Sequence, residues 1–576
     1  MDNQKLDNEL SQALVTSEDE RAKSVDLNTG YLGNNRWELI IKYAGDIDRL
    51  KNLGISVTSL LGNYAIIEID EELIDVISNE PEIIYIEKPK KLYFQIENTI
   101  RASCINSVQM ELGLYGEGVI VAVIDSGIDY DNEVFINELG ETRILEIWDQ
   151  TQEGNPPEGY IRGNIYTRDE INSAIRNGNP LNTIDISGHG TAVASIAVGN
   201  FAENKMNNIG IATKSDILVV KLGNPISGET GIRDNISVGY PKTSELMQAI
   251  DYCIRRGVEL NKPIVINLSF GNTYGSHDGT SLIEQYIDDV AGIGKTTIVI
   301  GTGNEGSTAG HYYEKIVPNT DSNVLLAVGE YEVALNLQIW KNYADSMIIE
   351  IITPDGRSTG RLGITGTSET YSFPRMDILV YYGEPLPFSV SQEIYIDVLP
   401  RNTYIDSGIY QIRIIPEEIK YGDIHMWLPA ESSLNNTRFL NPNPDVTITS
   451  PATAIMAISV GAYDAYYGRY AEFSGRGYLR NNNIIKPDIV APGVNIRAAT
   501  NYGTDIFSGT SFATPVVAGA AAQLMEWGIV RGNDRYLYGE KVKAYLIKGA
   551  RQLPGEETPS KKTGWGALCV ADSIPR

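Results

Sequence analysis

Four apolar runs, VIVAVI (119–124), ILVV (217–220), IVINL (264–268) and TIVI (297–300), carry no alternation of polar and apolar residues. A strand with one face in water alternates with a period of two, so a run that does not alternate has to be covered on both faces. Amphipathic helical patterns such as Glu245 to Arg255 lie between the runs and supply that cover. The pattern predicts an α/β architecture, a doubly wound parallel sheet. The same style returns in AIMAISVGA (454–462), and a small-residue helix is predicted from about Ser511 to Trp527.

Two stretches depart from this style. After a polar tail of some 35 residues, WELIIKY (37–43), an amphipathic stretch (46–53), a strand near 64–69, a short helix (71–77) and IIYIE (83–87) read as a small α+β module. It ends near residue 95, with KPKK (88–91) as its exit linker. Between about 323 and 447, short β-branched or aromatic segments such as VALNLQIW, MDILVYY and EIYIDVL are separated by Gly, Pro, Asn or Asp. That is the mark of an all-β sandwich or jelly roll. The expected organisation is therefore 1–95, 96–322, 323–447 and 448–576, with the third segment inserted into the α/β domain.

The chain has 576 residues, 42% of them hydrophobic and 21% charged, which is enough apolar material for several cores. Its net charge of −27 disfavours nucleic acid and anionic membrane surfaces as partners and otherwise serves solubility. MDNQKLDNELS has neither a basic n-region nor an apolar h-region, so no secretion signal is read and an intracellular location is expected. No apolar stretch approaches a membrane span. Cys104, Cys253 and Cys569 are few, odd in number and far apart, so no disulfide framework is expected.

Chemistry concentrates in three segments. Asp125 in AVIDSGID ends a buried strand, where open α/β sheets assemble their sites. His189 in SGHGTAVASIAVG opens a buried helix between two glycines that admit other backbone. Ser511 in SGTSFATPVVAGAAA stands at a helix N-terminus, which puts amide N–H groups beside any oxyanion formed there. The chain has only four histidines, and His277, His311 and His425 lie in unpatterned contexts that read as structural or exposed. Asp, then His, then Ser is the subtilisin order of a serine-protease triad. With DSG, GHGT and GTSFATP, the sequence resembles the subtilases.

That resemblance implies a subtilisin-like catalytic domain, with Asp125, His189 and Ser511 as triad and Asn304 in TIVIGTGNEG as oxyanion residue. It also implies that Ser269, Phe270 and Gly271 of NLSFG bind extended substrate. The same TIVIGTGNEG segment spells G-x-G-x-x-G, but STAGHYYEKIVP after it lacks the helical period a dinucleotide site requires. No cofactor and no metal site is expected. Val193 and Val516 or Val517 stand where subtilases often carry histidines, positions that concern packing.

The short N-terminal module, RILEIWDQT (143–151) and the β insertion resemble the Csp germination proteases of clostridial spores. The interval from Asn304 to Ser511 is nearly twice that from His189 to Asn304, which leaves room for the insertion. The resemblance implies a propeptide that is cleaved in the region of Phe94, Gln95 and Ile96 and retained. It further implies a protein substrate, the zymogen of a spore cortex-lytic hydrolase. Two alternatives share the fold: a non-catalytic germination regulator, and a general intracellular subtilisin.

Overall fold

The computed structural model describes residues 3–90, 93–94, 103–200, 210–223, 241–362, 366–480 and 484–575. Its central sheet has nine strands. From one edge they run Arg469–Tyr470, Ile458–Asp464, Thr296–Gly301, Ile264–Leu268, Ile120–Asp125, Asp216–Lys221, Ile144–Asp149 and Asn164–Thr167, and Ile489–Pro492 pairs with Ile458–Asp464. Every pairing between Ile144–Asp149 and Ile489–Pro492 is parallel. The unalternating runs are these strands. Val121 and Val123 enter the core on one face, and Ile120, Ala122 and Ile124 enter the core on the other.

The first face is covered by two buried helices rich in small residues, His189–Val198 and Thr510–Met525. Their Ala and Gly content lets them lie close to the sheet and to each other. Thr243–Glu259 and Leu282–Val290 cover the second face. Outside them lies the N-terminal domain, a five-stranded antiparallel sheet of Tyr31–Gly33, Arg36–Tyr43, Tyr64–Asp70, Ser56–Leu60 and Ile83–Glu87. Its residues Ile40, Tyr64, Ile66 and Tyr85 join the core over those helices.

Residues 3–35 are not a tail. Asp7 caps the helix Asn8–Val15 by accepting from the amides of Glu9 and Leu10, and Leu6, Leu10, Ala13 and Leu27 are buried against Leu379, Tyr381, Tyr395 and Leu399 of the insertion. The apolar stripe Leu6, Leu10, Ala13 has helical spacing, and the polar residues around it obscured it.

The insertion is a two-sheet sandwich. One sheet orders His311–Lys315, Asp423–Trp427, Leu335–Asn342, Ser391–Pro400, Met376–Tyr382 and Thr367–Ser372, and the other Ser346–Ile352, Gly408–Glu418, Ser322–Val328 and Arg438–Phe439. Strand His311–Lys315 belongs to it, so the insertion begins ahead of residue 323. His277, His311 and His425 are all buried, and the rings of His277 and His311 stack on Trp427 where the insertion meets the catalytic domain.

One expectation fails outright. Cys104 and Cys569, 465 residues apart in sequence, form a disulfide with Cα atoms 4.9 Å apart, and Cys253 is free and buried. The ends of the catalytic domain meet here, the Val570 amide donating to Ser103 O (3.2 Å), a proximity that linear spacing does not reveal.

Among the described residues no helix is long and apolar enough to cross a membrane.

Candidate active site

Asp125 is the last residue of its strand and His189 the first of its helix, and the parallel sheet brings both to its carboxyl edge. His189 Nδ1 lies 2.7 Å from Asp125 Oδ1, and the Ser126 amide donates to that same oxygen at 2.7 Å. Both side chains are shielded from water, which strengthens the contact. Gly190 is required at the first turn, because a Cβ there would run into the Gly127 carbonyl oxygen. The loop after Asp125 thereby lies directly against the start of the histidine helix.

Ser511 is the second residue of the helix Thr510–Met525 and is 1% exposed. The next residue, Phe512, sets its ring edge-on against the His189 imidazole with centroids 5.5 Å apart, so the two helix starts meet at the site. Ser511 Oγ donates to Ser269 O (2.9 Å), and Ser269 Oγ donates back to Ser511 O (2.9 Å). The second bond has a cause in the sequence. Pro515 lacks the N–H that would have bonded the carbonyl four residues earlier, which is that of Ser511, and the Ser269 hydroxyl fills the place. Asn267 Nδ2 holds Ser269 Oγ at 2.9 Å.

Asn304 follows the strand Thr296–Gly301, and its Oδ1 accepts from the Thr510 amide (3.0 Å) and hydroxyl (3.3 Å). With its oxygen engaged, the side chain presents its NH2 as the remaining donor.

Phe270–Gly271 pairs antiparallel with Tyr93–Phe94, in the register Phe270 to Phe94 and Gly271 to Tyr93. The chain leaving the N-terminal domain thus runs as an added strand along the site. The buried Ser269 hydroxyl, next to this pair, braces Ser511. Gln95 and Ile96 lie outside the described residues.

Asp185 escaped the sequence reading. It is buried four residues before His189 and accepts hydrogen bonds from both sides of the Asp125–His189 contact. The visible signal was a carboxylate just ahead of a helix start, a capping position. Among the described residues no cluster of three His, Cys, Asp or Glu side chains could hold a metal ion.

The model of the subtilase family matches residues 116–377 and 430–566, and that of the Csp protease B prodomain matches residues 4–90. The solved structure of the Clostridium perfringens CspB protease is similar, with a TM-score of 0.75 and 37% identity, over 82% of this chain and 95% of that one. The minor extracellular protease Vpr of Bacillus subtilis is 23% identical over 487 residues, covering 81% of this chain and 52% of Vpr. Pyrolysin of Pyrococcus furiosus is 24% identical over 531 residues, covering 80% and 34%. The chain spans about half the length of the first of these curated relatives and about a third of the second. On the match of both models and the CspB likeness, the chain belongs to the subtilase family and is of the Csp type.

Proposed function

We propose that the protein is a serine endopeptidase that processes its own N-terminal domain and then cleaves a protein substrate at a few bonds. The carrying observation is the Asp125–His189 pair beside a helix-start Ser511, with an extended segment of the chain laid along Phe270–Gly271. Rotation about χ1 frees the Ser511 hydroxyl from Ser269 O. Its Oγ then attacks the peptide carbonyl while His189 takes the proton and later passes it to the leaving amine. Asp125 holds the imidazole tautomer and meets its positive charge. The oxyanion is received by the Asn304 amide and the Ser511 N–H at the positive end of its helix. For subtilisin, losing the oxyanion asparagine costs about 10²–10³ in rate, and the same size of loss is expected for Asn304→Ala.

The ladder to Tyr93–Phe94 supports cleavage in the region of Phe94, Gln95 and Ile96, because it is how an extended substrate would lie. The burial of Leu6, Leu10 and Leu27 against the insertion supports retention of the cleaved domain. The physiological substrate would be the zymogen of a spore cortex-lytic hydrolase, a reading drawn from the Csp type.

The test is a fluorophosphonate probe with N-terminal sequencing. Covalent label on Ser511, and a new N-terminus near residue 95 that disappears in Ser511→Ala, support the reading. An unlabelled Ser511 would make the chain a non-catalytic regulator. Incubation with a candidate zymogen then tests the substrate.

A further inference from the structure

We propose that Asp185 is a positioning residue for the Asp125–His189 pair, acting as a second buried anion beside the imidazole. This rests on the reading of His189 as the base.

The segment around Asp185 is inverted with respect to solvent. Asp185 is 1% exposed, whereas its neighbours Ile184 and Ile186 are 65% and 89% exposed. A chain that turns a carboxylate inward and two isoleucines outward runs against the hydrophobic effect, and such local conflicts gather at functional sites.

The carboxylate is met by donors from both halves of the site. Oδ1 accepts from Ser126 Oγ (2.8 Å) and the Gly188 amide (3.0 Å), with Ser187 Oγ at 3.3 Å. Oδ2 accepts from the amide (2.8 Å) and hydroxyl (2.7 Å) of Thr191. Ser126 Oγ also accepts from the Gly190 amide (2.9 Å), and the Ser126 amide donates to Asp125 Oδ1. Asp185 therefore fixes Ser126, Ser126 fixes the oxygen that holds His189 Nδ1, and Gly188 and Thr191 fix the backbone that carries His189. Outside the carboxylate, Asn501 Nδ2 donates to the Asp185 carbonyl at 2.6 Å.

Electrostatics point the same way. His189 opens a helix, where the positive end of the dipole opposes an imidazolium. A carboxylate bonded to the Gly188 and Thr191 amides offsets that end. The other charged groups facing this place are Asp125, then Asp129 and Asp131 on the loop after it, and Lys221 on the next strand, which Asp149 engages at 3.3 Å. The hairpin Ile496–Phe507, which packs on the His189 helix, carries the charged Arg497 and Asp505 and donates to Asp185 from the uncharged Asn501.

The experiment uses the full chain and the rate of fluorophosphonate labelling as a function of pH, with a thermal midpoint for each variant. Asp185→Asn keeps the shape and removes the charge. Labelling is expected to slow by roughly 10²-fold, and its acid limb to move down by about half a unit to one unit, because protonated His189 loses a nearby anion. A helix cap with only a structural role would lower the midpoint and leave the limb in place. Ser126→Ala keeps the charge and breaks the link, so labelling should slow at least about tenfold with the limb unmoved. The inference is overturned if labelled wild type and Asp185→Asn share one profile. Should Asp185→Asn fail to fold, an unslowed Ser126→Ala overturns it. An unlabelled wild type refutes the protease reading itself, and this inference with it.

Discussion

Buried carboxylates gather in two regions of the molecule, and the two are provisioned differently. Beside His189, the oxygens of Asp185 and Oδ1 of Asp125 are met by amides, hydroxyls and the imidazole at 2.7–3.0 Å. At the junction of the helix Asn8–Val15, the strand Ile83–Glu87 and the insertion strand Ser391–Pro400, the carboxylates Asp7, Glu9, Glu87, Glu393 and Asp397 are buried with Lys88, and the partly buried Lys90 pairs with Glu87. Asp7 there accepts from three backbone amides, but donors are scarcer for its neighbours: Glu393 has the Asn8 side-chain amide, and Glu87 Oε1, like Asp125 Oδ2 at the other site, has no hydrogen-bond partner among the described residues. Burial pushes the Glu87 carboxyl up to about 7 against the pull of Lys90, and Glu393 up to about 8 with Glu9 adding to it. Donors let a protein bury charge, and where they run short it buries protons instead.

Removing charge from the donor-rich region should abolish function. Asp125→Asn is expected to slow turnover and labelling by roughly 10⁴-fold near neutral pH, as a wrong imidazole tautomer does in serine proteases. Retention of a tenth of the rate would break the comparison on this side.

The junction should behave in the opposite way. A carboxyl whose folded-state pKa is raised holds a proton that the unfolded chain gives up, so its stabilisation is full below the ordinary carboxylate range and lost as pH rises. For Glu87 and Glu393 the loss runs from about pH 5 to their values of about 7 and about 8. Unfolding of the full chain followed between pH 5 and 9 should lose about 1–3 kcal/mol over this window, and Glu393→Gln should flatten the curve. A wild-type curve already flat would show that the junction carboxyls are charged in the folded chain.

The histidines where the insertion meets the catalytic domain sharpen the same contrast from the acid side. Burial pushes His277 down to about 4 and His311 down to about 3, each further lowered by neighbouring cationic or imidazole groups, and His425 well below its ordinary value. A depressed imidazole contributes stability above its ordinary range, and that contribution is lost as pH falls from about 6.5 toward 4. His311→Gln should therefore soften the acid limb of the unfolding curve by about 1 kcal/mol, leaving the alkaline limb governed by Glu393. An acid limb identical to wild type would refute this assignment.

What could be read from the sequence follows from how local each signal is. Strand Ile120–Asp125 is legible because both of its faces are apolar within six residues, and Asp125, His189 and Ser511 because glycines and small residues frame each within its own segment. Asp185 was not, since the donors that make its burial tolerable come from Ser126 and Thr191, and an Asp in NTIDISG reads as a solvated loop. The helix Asn8–Val15 was hidden because the surface that covers it, around Tyr381 and Tyr395, lies far along the chain. The disulfide between Cys104 and Cys569 is hidden for the same reason. The bracing of Ser511 by Ser269 was hidden because a strand motif does not say which way each hydroxyl points.

That hydroxyl gives the smallest effect and the strictest test of the donor-rich region. Pro515 leaves the Ser511 carbonyl without its helical donor, and Ser269 Oγ supplies one at 2.9 Å. Ser269→Ala should then cost about 1 kcal/mol, the net worth of one hydrogen bond. Labelling at Ser511 should slow by a few fold, since its backbone loses a brace. Pro515→Ala returns an N–H four residues on, so in that background the Ser511 carbonyl has a donor of its own and Ser269→Ala should cost much less. The two substitutions must therefore be non-additive. Additive losses would mean that the serine hydroxyl and the missing proline N–H are unrelated, and that the donors around Ser511 are not matched to its acceptors.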